Sequence, residues 1–365
     1  MNGNGSNGTA GLFYPARPII NVDGQVERDL GEILLVDLLV EETTLGLFRC
    51  EARFTNWEPG ASSSFRFFNA QVFDFGKDFA VEMGRPNEVR TIFDGRIMGL
   101  EAQFPAGRAP ELVVLAEDRF QDLRMTRRTR TFDDASDSDI VQQIASDQGL
   151  QADVDVDGPQ HKVMTQLNQS DLAFLRERAA AVDAELWIEG STLHFQARSR
   201  RDAGTVHLSY GGNLREFTVL ADLAHQRSKV KVSGWDVENK EAIDEEAGED
   251  SISGELEGLR SGSEMLEQAL ATRDERIILS TPISQDEATA LAKAEYRRRA
   301  RRFVTGSGVA DGEAAIRVGG RVEMSGLGSY FDGVYYVRQA RHVFDLLDGH
   351  RTLFEVERPG MGSPA

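Results

Sequence analysis

A β-like pattern occurs twice in this 365-residue chain, at 81–118 and again at 322–358. Both segments run V-E-M, a glycine-containing loop, F-D-G, a β-like run whose next phenylalanine is Phe104 or Phe344, another glycine and a closing strand. The spacings differ by two or three residues, which loops between strands tolerate. A match over most of such a length predicts one β unit used twice.

The glycines of the second copy can be interpreted in two ways. Gly326, Gly328 and Gly333 could form a phosphate-binding loop, but such a loop must open a helix within a βαβ unit. The following residues, "VYYVRQARHVF", are β-branched and aromatic instead. We therefore predict turns and no cofactor. The dipeptides that favour tight turns are Asp94-Gly95, Asp332-Gly333 and Asp348-Gly349.

The rest of the chain predicts a mainly β fold with an α/β insert. Short runs rich in Val, Ile and Phe precede residue 119, helical patterns follow, and β character returns at about residue 204. The segment 241–257 is acidic and without apolar periodicity, which favours a solvated loop. The expected division is a flexible tail 1–12, a first β-barrel domain 13–118, an α/β insert 119–203, a second β-barrel domain 204–358 with an acidic loop and helix excursion 238–303, and a C-terminal tail 359–365.

Three helices have recognisable beginnings. One starts at Ser136 or Ser138 and ends near Gly149, a second starts at Ser170, and a third starts at Ser284. In each, a serine that can cap the helix is followed by an acidic residue in the first turn. The second helix leads into "ELWIEGSTLHF", predicted as two strands joined by a turn at Gly190, with Trp187 packed on the helix face of Leu172 and Leu175.

Charge and cysteine content exclude several classes of protein. The formal net charge of −19 argues against a nucleic-acid-binding surface, which needs clustered cations. Cys50 is the only cysteine, so an intrachain disulfide is impossible, and folding in a reducing cytoplasm is the natural expectation. No apolar run approaches the roughly 20 residues of a membrane span. We therefore expect no membrane anchor.

No motif points to catalysis. The six histidines lack metal-ligand spacing, and no nucleophile elbow, phosphate loop or kinase signature occurs. His194 and His342 are interpreted as partly buried strand residues and Cys50 as a small buried one. A carboxylate pair for glycoside hydrolysis need not be close in sequence, so that alternative stays open. The expectation is a protein that is not an enzyme, with no catalytic residue, metal or cofactor.

Two arginine clusters stand out in this acidic chain. We interpret them as candidate subunit or tube interfaces facing carboxylates, and we expect that reversing Arg297, Arg298 and Arg299 leaves the chain folded but slows assembly. The candidate residues are Arg127, Arg128, Arg130, Arg297, Arg298, Arg299, Arg301 and Arg302.

Three segments form a recognisable combination: "SDLAFLRERAAAVDAELWIEGSTLHF", "SKVKVSGWD" and "VTGSGVADGEAAIRVGGRVEMSGLGSYFDGVYYVRQARHVFD". They resemble the phage late control protein D family, which comprises the baseplate hub proteins of contractile tails and the N-terminal half of type VI secretion valine-glycine repeat spike proteins. The resemblance spans roughly 119–358. Its most specific part is the S-D-L-x-F-L helix before the W-x-x-G hairpin, at Ser170 to Gly190.

The resemblance implies a ring-forming trimer in which each chain has two similar β-barrels. Such a hub is a symmetry adapter that joins a hexameric inner tube to a trimeric spike, with baseplate wedge components as further partners. Assembly in the cytoplasm and then residence in a virion tail or injection-particle baseplate follow. This chain ends at "EVERPGMGSPA", so the spike or needle is expected to be a separate polypeptide. Phage tail and injection system are not distinguished by the sequence.

Two alternatives compete with the structural hub. A tail-associated peptidoglycan hydrolase needs converging carboxylates or a metal site in a cleft. A monomeric β-rich binding module needs an exposed aromatic patch and no threefold interface.

Overall fold

A computed structural model describes residues 17–58, 64–85, 88–156, 158–237, 239–279 and 284–363. The expected flexible tail at 1–12 lies outside the described residues, as do the last two residues of the expected C-terminal tail.

The N-terminal region is built from strands, as predicted. A π-helical turn at Leu30–Leu34 precedes the third strand. The strands are β1 (Ile19–Val22), β2 (Gln25–Val26), β3 (Leu35–Thr43), β4 (Arg49–Thr55), β5 (Asp78–Arg85), β6 (Glu88–Gln103) and β7 (Glu111–Glu117). Their inward side chains, among them Phe54, Phe79 and Ile97, form the first hydrophobic core.

The α/β region follows directly and has its own core. It consists of α1 (Phe120–Arg124), β8 (Arg127–Ser136), α2 (Asp137–Asp147), β9 (Gln151–Asp155), β10 (Gln160–Ser170), α3 (Asp171–Val182), β11 (Ala184–Glu189) and β12 (Thr192–Ala197). Ser136 caps α2 within a capping box and Ser170 caps α3, which confirms both predicted beginnings. Gly149 and Gly190 have positive φ after α2 and between β11 and β12.

The C-terminal region holds the remaining elements. They are β13 (Thr205–Ser209), β14 (Leu214–Ala221), β15 (Lys229–Asp236), β16 (Glu241–Ala247), α4 (Ser253–Leu256), β17 (Arg260–Ser261), α5 (Gly262–Leu270), β18 (Asp274–Ile278), α6 (Gln285–Ala300), β19 (Val304–Asp311), β20 (Arg321–Ser325), β21 (Gly333–Asp345), β22 (Gly349–Arg358) and β23 (Gly360–Met361). Ser284 caps α6 as predicted. β23 pairs with β17, so the segment assigned to a C-terminal tail begins with an ordered strand.

The prediction of a solvated loop at 241–257 is wrong. β16 pairs along its whole length with β15, and β18 pairs with the other side of β15. Helix α6 packs on this three-stranded sheet and forms a separate core in which Ile243 and Ala247 meet Ala292 and Tyr296. Asp244 and Glu246 occupy the opposite face and are exposed, whereas Glu245 faces α6 and accepts hydrogen bonds from Gln285 and Thr289. Three carboxylates in a row explain why the sequence indicated a solvated segment.

Two five-stranded units share one pairing order. The first runs β5-β6-β7-β4-β3 across the sheet and the second runs β20-β21-β22-β19-β14, with every neighbouring pair antiparallel. Two β-bulges also coincide. One follows Ile97 in β6 and Val337 in β21, and the other follows Leu35 in β3 and Leu214 in β14. Because bulges are placed by the fold and not by turn chemistry, their coincidence supports one unit used twice.

The V-E-M motifs that revealed the repeat nevertheless do not occupy equivalent positions in the two units. In the ladders Asp78 pairs with Arg96 and Arg321 pairs with Tyr336, so Val81 corresponds to Met324 and not to Val322. The V-E-M match is displaced by two residues, which keeps each side chain on the same face of the sheet. Phe104 and Phe344, in contrast, correspond directly.

One predicted turn is also wrong. Asp94 and Gly95 lie inside β6, where Gly95 is needed because a Cβ atom there would collide with the backbone oxygen of Glu117. Gly333 and Gly349 do adopt positive φ, as turns require. Gly326 and Gly328 adopt it too, and no helix follows them.

The two units join into a single 13-stranded sheet. The joint is antiparallel pairing of β21 with β3, from Gln339 opposite Thr43 to Asp345 opposite Asp37. A buried carboxylate strengthens it: Glu42 on β3 forms an ion pair with Arg317 and accepts a hydrogen bond from the backbone N–H of Val318, at 3.1 Å. The prediction of a mainly β fold with an α/β insert is confirmed.

Candidate functional site

A cleft of about 650 Å³ lies where the first unit, the α/β region and the second unit meet. Its most unusual carboxyl group is Asp118, whose pKa burial raises to about 7. The two carboxylate oxygens accept hydrogen bonds from the backbone N–H groups of Phe48 and Phe120, at 2.7 and 2.9 Å. Both oxygens therefore hold the start of β4 against α1.

Nothing in the described part of the chain groups three or more His, Cys, Asp or Glu side chains for a metal ion. His194 stacks on Trp187 at 4.7 Å between ring centroids, and His342 is fully buried beside Thr352. Cys50 is buried in the first core. The burial of Cys50 and the partial burial of His194 agree with the sequence prediction, whereas His342 is more deeply buried than predicted.

A buried polar cluster fastens the α/β region to the second unit. Arg198 donates to Glu357 at 2.6 Å and lies over the ring of Tyr336, 3.5 Å from its centroid. Arg201 donates to Glu185 at 3.0 Å, and the hydroxyl of Tyr336 donates to the same carboxylate at 2.5 Å. Charges buried in this way need partners, and each cation here has one.

Trp187 is buried, but not where the sequence placed it. It alternates along β11 with Leu186 and Ile188, which belong to the core that contains Leu172 and Leu175. Because alternate residues of a strand face opposite sides, Trp187 lies on the other face, with the guanidinium of Arg201 4.4 Å from its ring centroid.

The arginines at the end of α6 form ion pairs within the chain. Arg301 is buried and contacts Asp183 at 2.5 Å and Glu255 at 2.6 Å. Arg297 donates to Asp183 at 3.3 Å. Asp183 ends α3, so these two arginines tie the three-stranded sheet of β15, β16 and β18, which we call the accessory sheet, and its helix α6 to the α/β region.

The other three members of this cluster differ in exposure. Arg299 contacts Glu275 at 2.7 Å, Arg298 is exposed and contacts Glu295 at 2.5 Å, and Arg302 is exposed. Within the described residues no carboxylate forms an ion pair with Arg302. The interface role of this cluster stays a prediction. Its exposed members, Arg298 and Arg302, are the ones that a partner could contact.

The arginines of β8 organise the start of α3. Arg130 donates to Asp171 at 2.8 Å and Arg128 contacts the same buried carboxylate at 3.2 Å. Arg127 is exposed and donates to the backbone oxygen of Asn168 at 3.3 Å. Of the three, Arg127 is the one that forms no ion pair with a carboxylate in the described part of the chain.

His161 forms a further link that sequence reasoning missed. Its ring contacts Glu287 on α6 at 2.5 Å and Asp137 on α2 at 3.3 Å. Burial alone would lower the pKa of His161, but hydrogen bonds to the two carboxylates prevail and raise it to about 8. The partners are 24 and 126 residues away, so no local signal could have revealed them.

An exposed aromatic patch on the first unit was also missed. Phe65 packs between Trp57, Phe68 and Phe104, with ring centroids 5.7, 4.8 and 5.9 Å away. Phe65, Phe68 and Phe104 remain exposed. The abundance of phenylalanine in "SFRFFNAQVFDF" was the available signal, but its pattern predicted a strand. That prediction is wrong, because residues 65–75 form turns and bends.

The comparisons with known proteins agree with this architecture. The family model described as the Alg8 N-terminal domain matches residues 54–345. The chain belongs to this family. The description names a domain and no reaction, so the family by itself assigns no activity. No curated protein sequence matches the chain.

Several solved structures share the fold over nearly the whole chain. The prophage MuSo2 43 kDa tail protein from Shewanella oneidensis is 12% identical, with 94% of this chain and 98% of that chain covered and a TM-score of 0.69. A tail protein from Neisseria meningitidis MC58 is 13% identical, with coverages of 96% and 99% and a TM-score of 0.64. The E. coli c3393 protein, a component of the type VI secretion system described as similar to the T4 bacteriophage tail proteins gp27 and gp5, is 12% identical, with coverages of 95% and 79% and a TM-score of 0.59.

These matches confirm, at the level of the fold, the predicted resemblance to phage tail and type VI secretion proteins. At such low identity they establish the architecture and not the residues that act. Among the described residues, no helix combines the length and apolar composition needed to cross a bilayer.

Proposed function

We propose that this protein is the structural hub of a contractile-tail or phage-like injection-system baseplate and that it acts as a homotrimer. The observation that carries the proposal is the duplicated five-stranded unit, whose pairing order and bulges repeat within a tail-protein fold. Three chains with two such units each present six similar faces. A ring of this kind can contact a hexameric inner tube on one side and a trimeric spike on the other.

The four hydrophobic cores separate the parts of the chain that would form the ring from the parts attached to it. The two five-stranded units form the ring, and the α/β region and the accessory sheet with α6 decorate it. We place the boundaries at 13–118, 119–203 and 204–358, with 238–303 as an insertion in the second unit. Buried ion pairs such as Arg301 with Asp183 hold the decorations in place.

A structural role also suits the chemistry of the cleft. Its buried carboxyl group, Asp118, holds two backbone amides, and general acid–base catalysis requires a group that can reach the substrate.

Besides the inner tube and the spike, the proposed partners are baseplate wedge components. Assembly takes place in the cytoplasm, and the protein then belongs to the tail or particle.

The test combines mass and assembly. The purified chain should have the mass of a trimer by light scattering and native mass spectrometry, and particles from cells lacking the gene should lack a joined tube and spike. A cryo-microscopy reconstruction of intact particles should place three copies between tube and spike. A monomer that binds its ligand without entering particles would contradict the proposal and support a binding module, and hydrolysis of purified peptidoglycan that is lost with a cleft variant would support an enzyme.

A further inference from the structure

A second cleft lies between α3, the end of α6 and the strands β3 and β21, and arginine dominates its lining. It measures about 480 Å³, which is within the range of known ligand sites. Six arginines and three carboxylates line it, which leaves an excess of three positive charges in a chain whose formal net charge is −19. Such a local excess of cations favours an anionic ligand. The arginines are Arg176, Arg198, Arg298, Arg301, Arg302 and Arg338.

The three carboxylates of the lining are already engaged by buried arginines. Each accepts from a guanidinium group that needs a partner because it is out of contact with water. These carboxylates therefore leave no charge to neutralise the other arginines of the cleft. The pairs are Arg301 with Asp183, Arg201 with Glu185 and Arg198 with Glu357, at 2.5, 3.0 and 2.6 Å.

Two of the other four arginines have no carboxylate partner in the described part of the chain. Arg302 is exposed just beyond the end of α6. Arg176 on α3 donates to the backbone oxygens of Leu45 and Gly46, at 2.7 and 3.2 Å. Its partial burial lowers its pKa, because the charged form loses hydration. An anion in the cleft would stabilise both cations.

The remaining two, Arg298 and Arg338, form exposed ion pairs that a ligand can replace. Arg298 contacts Glu295 on the same helix, and Arg338 contacts Glu355 on β22, each at 2.5 Å. The two arginine side chains are 53% and 41% exposed, and ion pairs of this kind contribute little to stability. Their guanidinium groups can therefore turn toward another carboxylate.

Apolar side chains also line the cleft. Ala180 and Ala184 come from the end of α3 and the start of β11, and Ala294 comes from α6. Leu45, in the turn between β3 and β4, is 63% exposed. A lining of arginines and apolar groups suits a peptide that carries both carboxylates and apolar side chains, whereas a small inorganic anion would contact the arginines alone.

The cleft differs from the sites that bind phosphate groups. Those sites present backbone N–H groups at a helix N-terminus or in a glycine-rich loop. The helix ends at this cleft are those of α3 and α6, and both are C-terminal ends. None of the described lining residues is a glycine. The donors are instead arginine forks, whose two parallel N–H groups match a carboxylate.

We propose that this cleft binds an acidic peptide segment of a partner protein, whose carboxylates pair with Arg176, Arg298, Arg302 and Arg338. The apolar side chains of the segment lie against Leu45 and the alanines of α3 and α6. The identity of the partner rests on the proposed hub function. Because α3 and α6 occur once in each chain, a trimer has three such clefts, which matches a trimeric spike and not a hexameric tube.

Fluorescence anisotropy with a defined peptide tests the site. The probe is an end-capped, fluorescein-labelled hexapeptide in which glutamate and leucine alternate, and the control probe carries glutamine in place of glutamate. The full chain should bind the first peptide and not the second, with an affinity that falls as the salt concentration is raised. Equal affinity for the two peptides would overturn the proposal, because the carboxylates would then contribute nothing.

Two double variants locate the binding. Arg298→Gln/Arg302→Gln removes two exposed charges of the cleft and should weaken binding of the acidic peptide by a factor on the order of ten or more, because two charge-assisted contacts are lost. The matched control is Arg215→Gln/Arg276→Gln, which changes the net charge equally at exposed arginines outside the cleft and should leave the affinity unchanged. Equal weakening by both variants would show that binding follows net charge alone and would overturn the site.

Chemical modification of arginine is a second measurement and needs no variant. Labelling with phenylglyoxal, read by mass spectrometry, should show that the acidic peptide protects Arg176, Arg298, Arg302 and Arg338. Arg215 should react at the same rate with and without the peptide. Protection of arginines elsewhere in place of these four would overturn the assignment of the cleft.

Two competitors distinguish the acidic peptide from other anions. Neither inorganic phosphate nor hexathymidylate should displace the peptide at an equal concentration. Displacement by phosphate would indicate a small-anion site, and displacement by hexathymidylate would indicate a nucleic-acid site. Either result would overturn the acidic-peptide assignment.

The outcome for this site is separable from the outcome for the hub. A chain that forms trimers and enters particles but does not bind the acidic peptide would overturn the site and leave the hub function standing. A chain that binds the peptide as a monomer and enters no particles would contradict the hub function and, with it, the spike as the partner.

Discussion

Replacing His161 by glutamine should remove a pH-dependent part of the stability of this protein. His161 is buried between Glu287 and Asp137, with Arg178 also in contact, 3.2 Å from Nε2. Its pKa is about 8 in the folded chain, compared with about 6.5 for an unperturbed histidine. Each pKa unit is worth about 1.4 kcal/mol, so the protonated ring contributes about 2 kcal/mol.

Because the pKa of His161 is raised in the folded state, its contribution to stability decreases as the pH rises. Because the folded state holds the proton more tightly, the contribution is complete below pH ~6.5 and disappears as the pH rises through ~8. Urea unfolding at pH 6.0 and 8.5 should therefore show a loss of about 2 kcal/mol in wild type that is absent from His161→Gln. Asp118 also has a raised pKa, about 7, so its contribution to the stability of the folded chain is lost as the pH rises from ~4 to ~7. The comparison of wild type with His161→Gln must therefore be repeated in the Asp118→Asn variant. An identical pH profile in wild type and His161→Gln would refute the reasoning.

Three further outcomes are expected. Trp187→Ala should lower the free energy of unfolding by about 3–5 kcal/mol, because Trp187 packs against His194 and Arg201; a loss under ~1 kcal/mol in a denaturant melt would contradict this. Arg317→Ala should cost about 3–5 kcal/mol by leaving the fully buried carboxylate of Glu42 without its cation, and an unchanged melt would show that the two units do not depend on that pair. The double change Arg298→Glu/Arg302→Glu should leave unfolding unaltered yet slow particle assembly in a salt-dependent way, with normal assembly across a salt series counting against an interface role.

Features set by neighbouring residues were predictable from the sequence. Ser136, Ser170 and Ser284 each precede an acidic first turn, and each caps a helix in the structure. A cap needs only residues within one turn, so the sequence contains all the information that decides it. The same holds for the turns at Gly190 and Gly349, where positive φ favours glycine.

Features set by distant partners were not predictable. β16 buries only Ile243 and Ala247, too few apolar positions to indicate a strand until α6 supplies the other side of the core. Arg301 belongs to a run that suggested an exposed cluster, but Asp183 and Glu255 neutralise it from 118 and 46 residues away. The repeat was visible because two β units share a composition, whereas its register depends on bulges that the letters do not contain.

The two ends of the duplicated units differ in what they carry, which suits the proposed role of an adapter. At one end, the turn between β3 and β4 supports the α/β region through Arg176, which donates to the backbone oxygen of Leu45 at 2.7 Å. The equivalent turn of the second unit expands into residues 222–303, so this end has one decoration of each kind per chain. At the other end, the β6–β7 and β21–β22 hairpins end in tips without any inserted domain, residues 104–110 and 346–348, with Phe104 and Leu347 exposed. In the proposed trimer the decorated end would be threefold and the hairpin end would approach sixfold, so we expect the hairpin end to be the one that contacts a hexameric tube.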